Sequence, residues 1–230
     1  FTNATGVTGL TLTLDGALAM HSGGIDITTN GGTLNVTDKI KGTDGYYETA
    51  KLDLAGSAST SKVTGITLSG GGKSSATADA VFEVTGTSNV ELATIDATAL
   101  ASDLDIDSVT TKAGFTVNLG SGNNNVTVAI VDLAQDQMVL DGGDGSDELT
   151  AVDLAATLYR PKLTSVEKLD IDLTTGTATE LSLLESTGVT TIELDLDSVD
   201  ENFTVSGATE VTTYSVEAAA AATSDIITLG

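Results

Sequence analysis

The 230 residues include no cysteine, no tryptophan, one proline and one histidine. Without cysteine there are no disulfide staples and no thiol chemistry, although this alone fixes no compartment. The single imidazole, His21, excludes a His-rich zinc site and any catalytic relay that needs a second histidine. Neither G-x-S-x-G nor H-E-x-x-H occurs. Gly72-Lys73-Ser74 invites comparison with a phosphate-binding loop, but the leading glycine of that motif would fall on Thr67, so the stretch reads as a surface turn. No run of 18 apolar residues is present to cross a membrane as a helix. An N-terminal export signal is also missing, and the start at Phe1 reads as part of something longer. Basic residues are scarce, 9 against 33 acidic, for a net charge of −24 that opposes nucleic acid and anionic lipid. Aromatics make up only 3%. Acidity with so few aromatics would point to disorder, but 40% hydrophobic residues and a mean hydropathy of +0.16 supply apolar surface for a core. No catalytic residues are assigned, and the chain reads as a non-enzyme.

What the sequence does have is short alternation. Leu10-Thr11-Leu12-Thr13-Leu14 breaks at Asp15-Gly16, and comparable stretches begin at Ile25, Thr33, Lys51, Val63, Val81 and Val90, with a last one at Asp225 to Leu229. Period two followed by turn residues means strand. Asn30-Gly31-Gly32 lies between two such strands and reads locally as a hairpin, which would make this part antiparallel. Asp38 to Lys51, with Lys39, Lys41, Tyr46 and Tyr47, reads as a loop. One-turn helices are expected at Leu100 to Leu104 and Leu154 to Tyr159, and a short helical bend at Ala218 to Ala222. A word then recurs: Leu52-Asp53-Leu54, Leu104-Asp105-Ile106-Asp107, Leu169-Asp170-Ile171-Asp172-Leu173 and Leu194-Asp195-Leu196-Asp197. Alternation sends the aliphatics to a core and the carboxylates outward, where solvent, or cations bridging successive rungs, must receive them. Four Asn-x-Ser/Thr triplets, at Asn3, Asn35, Asn125 and Asn202, are expected by chance in so threonine-rich a chain.

Gly142-Gly143-Asp144-Gly145-Ser146-Asp147-Glu148-Leu149-Thr150 fits the nonapeptide G-G-x-G-x-D-x-U-x at every defined position. A degenerate copy stands upstream at Leu119-Gly120-Ser121-Gly122-Asn123-Asn124-Asn125-Val126, with Leu119 for the first glycine and Asn124 for the aspartate. Downstream, Leu163 to Ile171 completes a stretch, roughly residues 120 to 173, that resembles the calcium-binding repeats of RTX-type secreted proteins and bacterial surface-layer proteins. Glycines there admit positive φ and bring carbonyl oxygens together, and hard oxygen donors suit calcium. The resemblance implies Ca²⁺ held by Asp141, Asp144 and Asp147 with carbonyls of Gly143 and Gly145, the ion being shared with a second turn, either that of Asn123, Asn124 and Asn125 or one not visible in the sequence.

The fold expected is all-β, a parallel β-helix or β-roll-like solenoid with irregular rungs. The alternative is a β-sandwich with hairpins, especially in residues 1–115. Accordingly, 1–115 is read as a β-rich N-terminal part and 116–230 as a calcium-associated solenoid part, with one continuous solenoid as the further option. The function expected is structural: an extracellular, cell-surface fragment that binds calcium and self-associates into a lattice. Partners are identical subunits and cell-surface polysaccharide, with neither nucleic acid nor membrane insertion. An adhesin or carbohydrate-binding stalk is the second reading, with Lys39, Lys41, Tyr46 and Tyr47 able to meet sugars. A β-helical polysaccharide lyase is the third, for which Arg160 and eight scattered lysines are thin provision of a base.

Overall fold

A computed structural model describes residues 9–16, 25–26, 32–40, 50–53, 63–72, 81–85, 92–109, 114–129, 138–152, 158–172, 180–196, 202–218 and 226–230. In chain order the strands are β1 (Gly9–Gly16), β2 (Ile25–Asp26), β3 (Gly32–Ile40), β4 (Ala50–Asp53), β5 (Val63–Gly70), β6 (Val81–Thr85) and β7 (Thr94–Leu100). Next come β8 (Asp103–Val109), β9 (Thr116–Asn118), β10 (Asn125–Ala129), β11 (Val139–Asp141), β12 (Glu148–Val152), β13 (Leu158–Tyr159) and β14 (Lys162–Thr164). The last six are β15 (Lys168–Asp172), β16 (Glu180–Ser182), β17 (Thr191–Leu196), β18 (Asn202–Ser206), β19 (Thr213–Ala218) and β20 (Ile226–Leu229). No helix occurs among the described residues.

Successive strands do not pair with each other. Each joins the strand of the same kind one coil earlier, always in parallel, which makes a β-solenoid. A seven-stranded sheet runs β1-β3-β5-β7-β9-β11-β14, and a nine-stranded sheet runs β19-β17-β15-β12-β10-β8-β6-β4-β2. A third sheet, β13-β16-β18-β20, adds another wall to the C-terminal coils. Both long sheets pass through residue 115 without a break, so the described strands on either side share one architecture.

Register stacks like on like. In the seven-stranded sheet, Leu10, Leu34, Ile66, Ile95, Val117, Leu140 and Leu163 are successive partners. In the nine-stranded sheet the ladder is Leu52, Val84, Ile106, Val126, Leu149, Leu169 and Ile192. Apart from half-buried Leu10, these residues are at most 2% exposed and belong to one hydrophobic core. Each such side chain contributes roughly 1.5–3 kcal/mol by leaving water. Along these two ladders parallel pairing places aliphatic residue over aliphatic residue, so the period-two pattern of one coil templates the next; elsewhere the stacking is looser, as where Leu14 pairs with Asp38.

Several local expectations give way to this stacking. Asn30 and Gly31 lie outside the described residues, but the strands on either side of them, β2 and β3, do not pair as a hairpin. β3 begins at Gly32, which takes φ +97, and pairs in parallel with β1 and β5, while β2 belongs to the other long sheet. Turn chemistry marks where the chain bends, but the pairing partner is whichever strand continues the aliphatic ladder. The loop expected from Asp38 is strand as far as Ile40, and Asp38 is 1% exposed. Instead of a helical turn at Leu100 to Leu104, β7 and β8 are separated only by Ala101 and Ser102. Leu158 and Tyr159 are strand, as is Ala218, whereas 154–157 and 219–222 lie outside the described residues. The strand expected from Val90 starts at Thr94.

The outward faces of the two long sheets differ in chemistry. On the seven-stranded sheet, one outward row reads Thr11, Asn35, Thr67, Asp96, Asn118, Asp141 and Thr164 in register. The nine-stranded sheet carries the Leu-Asp words, with Glu83 beside Asp105, Asp170 beside Glu193, and Asp172, Asp195 and Glu217 in one row.

Candidate metal centre

The nonapeptide and its degenerate copy lie on successive coils, one above the other. Val126 pairs with Leu149 in the nine-stranded sheet, and Leu140 pairs with Val117 in the seven-stranded one. The turn between these sheets is glycine-rich because backbone rests on backbone. A Cβ on Gly142 would lie 1.8 Å from the Ser165 carbonyl oxygen of the next coil. On Gly143, which takes φ +83, it would lie 2.3 Å from the Gly120 oxygen of the coil before. Any side chain at either position collides with main chain, which cannot swing aside as a side chain can.

Inside this turn Asp147 is 1% exposed and Asn124 2% exposed. Asn124 uses its whole carboxamide. Its Oδ1 accepts from the Leu104 N–H at 3.0 Å, and its Nδ2 donates to the Gly122 carbonyl at 2.9 Å and to Asp147 Oδ1 at 2.7 Å. The Asn124 backbone N–H donates to the same Oδ1 at 2.9 Å. Asp147 Oδ2, by contrast, is buried and has no hydrogen-bond partner among the described residues. It crowds the same space as the Ser165 carbonyl, lying 2.7 Å from where a Gly142 Cβ would be. Burial pushes the Asp147 carboxyl up to about 6; the Asn124 hydrogen bonds oppose this, and the charges of Glu167 and Asp103 reinforce it.

The other expected ligands are placed differently. Asp141 and Asp144 are exposed, and Asp141 Oδ1 accepts from the Gly143 N–H at 3.3 Å. Exposed Asn123 accepts from the Ser146 N–H at 3.0 Å through Oδ1, tying its coil to the next. Asn125 stands on the outer face of β10, between Asp105 and Glu148 in register. Gly145 takes φ +134 against the Gly122 carbonyl. The predicted set therefore divides into an inward pair, Asn124 and Asp147, and an outward group around the same turn. Among the described residues no three His, Cys, Asp or Glu side chains are grouped to hold a metal ion. Calcium takes 6–8 oxygens, and the turn offers it one buried carboxylate oxygen beside a backbone carbonyl. The buried atom fits a hard cation; the number of protein ligands falls short, and carbonyls or water would have to make up the shell.

Two further residues belong to this corner and carried no signal as ligands. Asp103 Oδ1 accepts from the Asn123 N–H at 2.7 Å, and Glu167 Oε2 accepts from the Asp147 N–H at 2.8 Å. The signal available was spacing, since 20 to 23 residues separate each acceptor from its donor on the adjacent coil. The same device recurs where Glu210 accepts from the Gly188 N–H.

On the outer face of the nine-stranded sheet, the rows of carboxylates already hold one cation from the chain itself. Lys168 Nζ lies 2.9 Å from both Glu148 and Glu193, on the coils either side. These hydrogen-bonded pairs hold the Lys168 ammonium above its ordinary range. Asp170 is raised by burial and by the neighbouring carboxylates, against the pull of Lys168. Of the groups considered for carbohydrate contact, Lys39 is exposed at the end of β3, while Lys41, Tyr46 and Tyr47 lie outside the described residues, as does His21. Among the potential glycosylation sites, Asn35 and Asn125 are exposed on strands, Asn202 opens β18, and Asn3 lies outside the described residues.

Comparison with protein-family models, with curated proteins and with solved structures finds no match to this chain.

Proposed function

We propose that this chain is a structural segment of a secreted bacterial surface-layer or RTX-type protein, stiffened by calcium outside the cell and associating with copies of itself into a cell-surface lattice. The observation that supports this is the unpartnered Oδ2 of Asp147, buried in a glycine turn whose sequence fits the calcium nonapeptide. An anionic oxygen in that position wants a counter-charge, and a hard divalent cation supplies it. The cation would join the coil of Asp147 to its neighbours through carbonyl oxygens and so fix their register. An acidic exterior suits a protein that works among divalent cations and must not bind nucleic acid.

Titration calorimetry tests the ion, and sedimentation tests the assembly. Calcium modules outside cells have dissociation constants of roughly 10⁻⁴ to 10⁻³ M. A tenfold excess of calcium over that value should therefore stabilise the fold by about 1.4 kcal/mol per site. Asp147→Ala should lose the calcium heat, and chelation should shrink the assemblies. Calorimetry flat to several millimolar calcium, together with assemblies that persist in excess EDTA, would remove the basis for this reading.

A further inference from the structure

We infer that the outward face of the seven-stranded sheet is the surface on which two copies of this chain meet. The inference rests on the self-association reading above and names its interface. Each copy carries a net charge of −24, so contact through an acidic face would strip water from like charges and set them against one another. That cost rules the nine-stranded sheet, with its Leu-Asp words, unfavourable as a contact surface. The other long face is of a different kind. Among the described side chains of its seven strands, only Lys39, Asp96, Asp141 and Lys162 bring charge to the outward side, two of each sign. Asp96 is satisfied within its own strand, accepting from the Thr98 N–H at 3.2 Å and from Thr98 Oγ1 at 2.8 Å. The rest of that face is mainly threonine, with serine, asparagine and glycine.

The arrangement is periodic as well as neutral. Thr33, Gly65, Thr94 and Thr116 occupy one row in register, parallel to the row that holds Thr11, Asn35 and Thr67. Strands repeat about every 4.8 Å across such a sheet, and outward side chains about every 6.7 Å along each strand. A second copy presents the same lattice. Because a hydroxyl both donates and accepts, two such faces are self-complementary in hydrogen bonding. Their threonine methyls supply apolar contact, and a two-fold arrangement closes the pair.

The test uses the full chain in millimolar calcium and reads association by sedimentation velocity, with circular dichroism to show that each variant keeps its β structure. Two double variants on the neutral face, Thr33→Glu with Thr94→Glu and Thr33→Lys with Thr94→Lys, are compared with Thr85→Lys and Thr150→Lys on the acidic face. Both doubles should weaken association at least about tenfold, because a buried charge of either sign must be desolvated. The acidic-face variants should change it less than about twofold. Weakening by glutamate with strengthening by lysine would mean that net charge alone governs, and would overturn the interface. So would loss of association in the acidic-face variants only. A wild-type chain that stays monomeric sinks the self-association reading itself. A monomer held by insoluble polysaccharide through Thr33 and Thr94 would assign this face to a carbohydrate instead.

Discussion

Asn124 and Asp147 occupy the same corner on adjacent coils, yet they are in opposite states. The carboxamide is both donor and acceptor, and its oxygen and both its N–H groups are engaged by Leu104, Gly122 and Asp147. The carboxylate accepts only, and one of its oxygens has nothing to accept from among the described residues. Swapping one nitrogen for one oxygen converts a neutral staple into a group that must take up a proton, acquire a cation, or remain as a destabilising charge. The Asn124 corner is architecture, and the Asp147 corner is where conditions outside the protein act on its stability.

The most severe way to break this comparison is Gly142→Ala. The added Cβ meets the Ser165 carbonyl at 1.8 Å and Asp147 Oδ2 at 2.7 Å, so the coils must part. A loss on the order of 3 kcal/mol or more is expected, at the upper end of single-substitution effects, read as a fall in the midpoint of denaturant unfolding. If Gly142→Ala unfolds at the wild-type midpoint, the tight stacking of this corner is wrong.

The second test sharpens the contrast through pH. The Asp147 carboxyl titrates near 6 in the folded chain against 3.8 in an unfolded one. The folded state thus holds a proton that the unfolded state releases between those values. Its contribution to stability is full below about pH 4, declines from there to about pH 6, and is lost above that. The loss is on the order of 3 kcal/mol for a shift of this size. Asp147→Asn should flatten this dependence in calcium-free buffer and leave the variant more stable than wild type at pH 7.5. In wild type, calcium should restore stability at pH 7.5 without changing it at pH 4. A slope equally steep in Asp147→Asn would place the titrating group elsewhere.

The smallest effect is expected away from the corner. Lys168→Ala removes both ion pairs to Glu148 and Glu193, but these side chains are 31–42% exposed. The loss should be about 0.5–1 kcal/mol and should shrink with added salt, as urea midpoints at low and high salt can check. A larger, salt-independent loss would mean that the outer face is more tightly coupled than the corner.

Much of this arrangement was legible in the chain before it was folded. The alignment of Leu119 to Val126 on Gly142 to Leu149 put Asn124 opposite Asp147, and the structure stacks those two residues as neighbouring corners. The Leu-Asp words gave the inward and outward faces of β8, β15 and β17 correctly, because alternation is a property of the extended backbone itself. What the words did not carry was partner choice. Asn30-Gly31 has the local chemistry of a hairpin, and only the continuity of the ladder through Leu10, Leu34 and Ile66 sends β3 to pair in parallel. Nor could the three aspartates around the turn be told apart by sequence. Asp141 and Asp144 face water while Asp147 does not, and that follows from how closely the coils at Gly120 and Ser165 press on the glycines between them.

By itself, then, the sequence determined that this protein is made of short strands with one apolar side, that its exterior is acidic, and that its middle holds a glycine and aspartate turn. These are local properties, set by side-chain period and composition. Tertiary structure decided which strands are neighbours, which carboxylate of the glycine turn is buried, and that among the described residues acidic charge gathers on one long face while hydroxyls gather on the other. Those outcomes depend on residues some 20 to 30 positions apart being laid one over another, and that distance lies beyond anything a local pattern encodes.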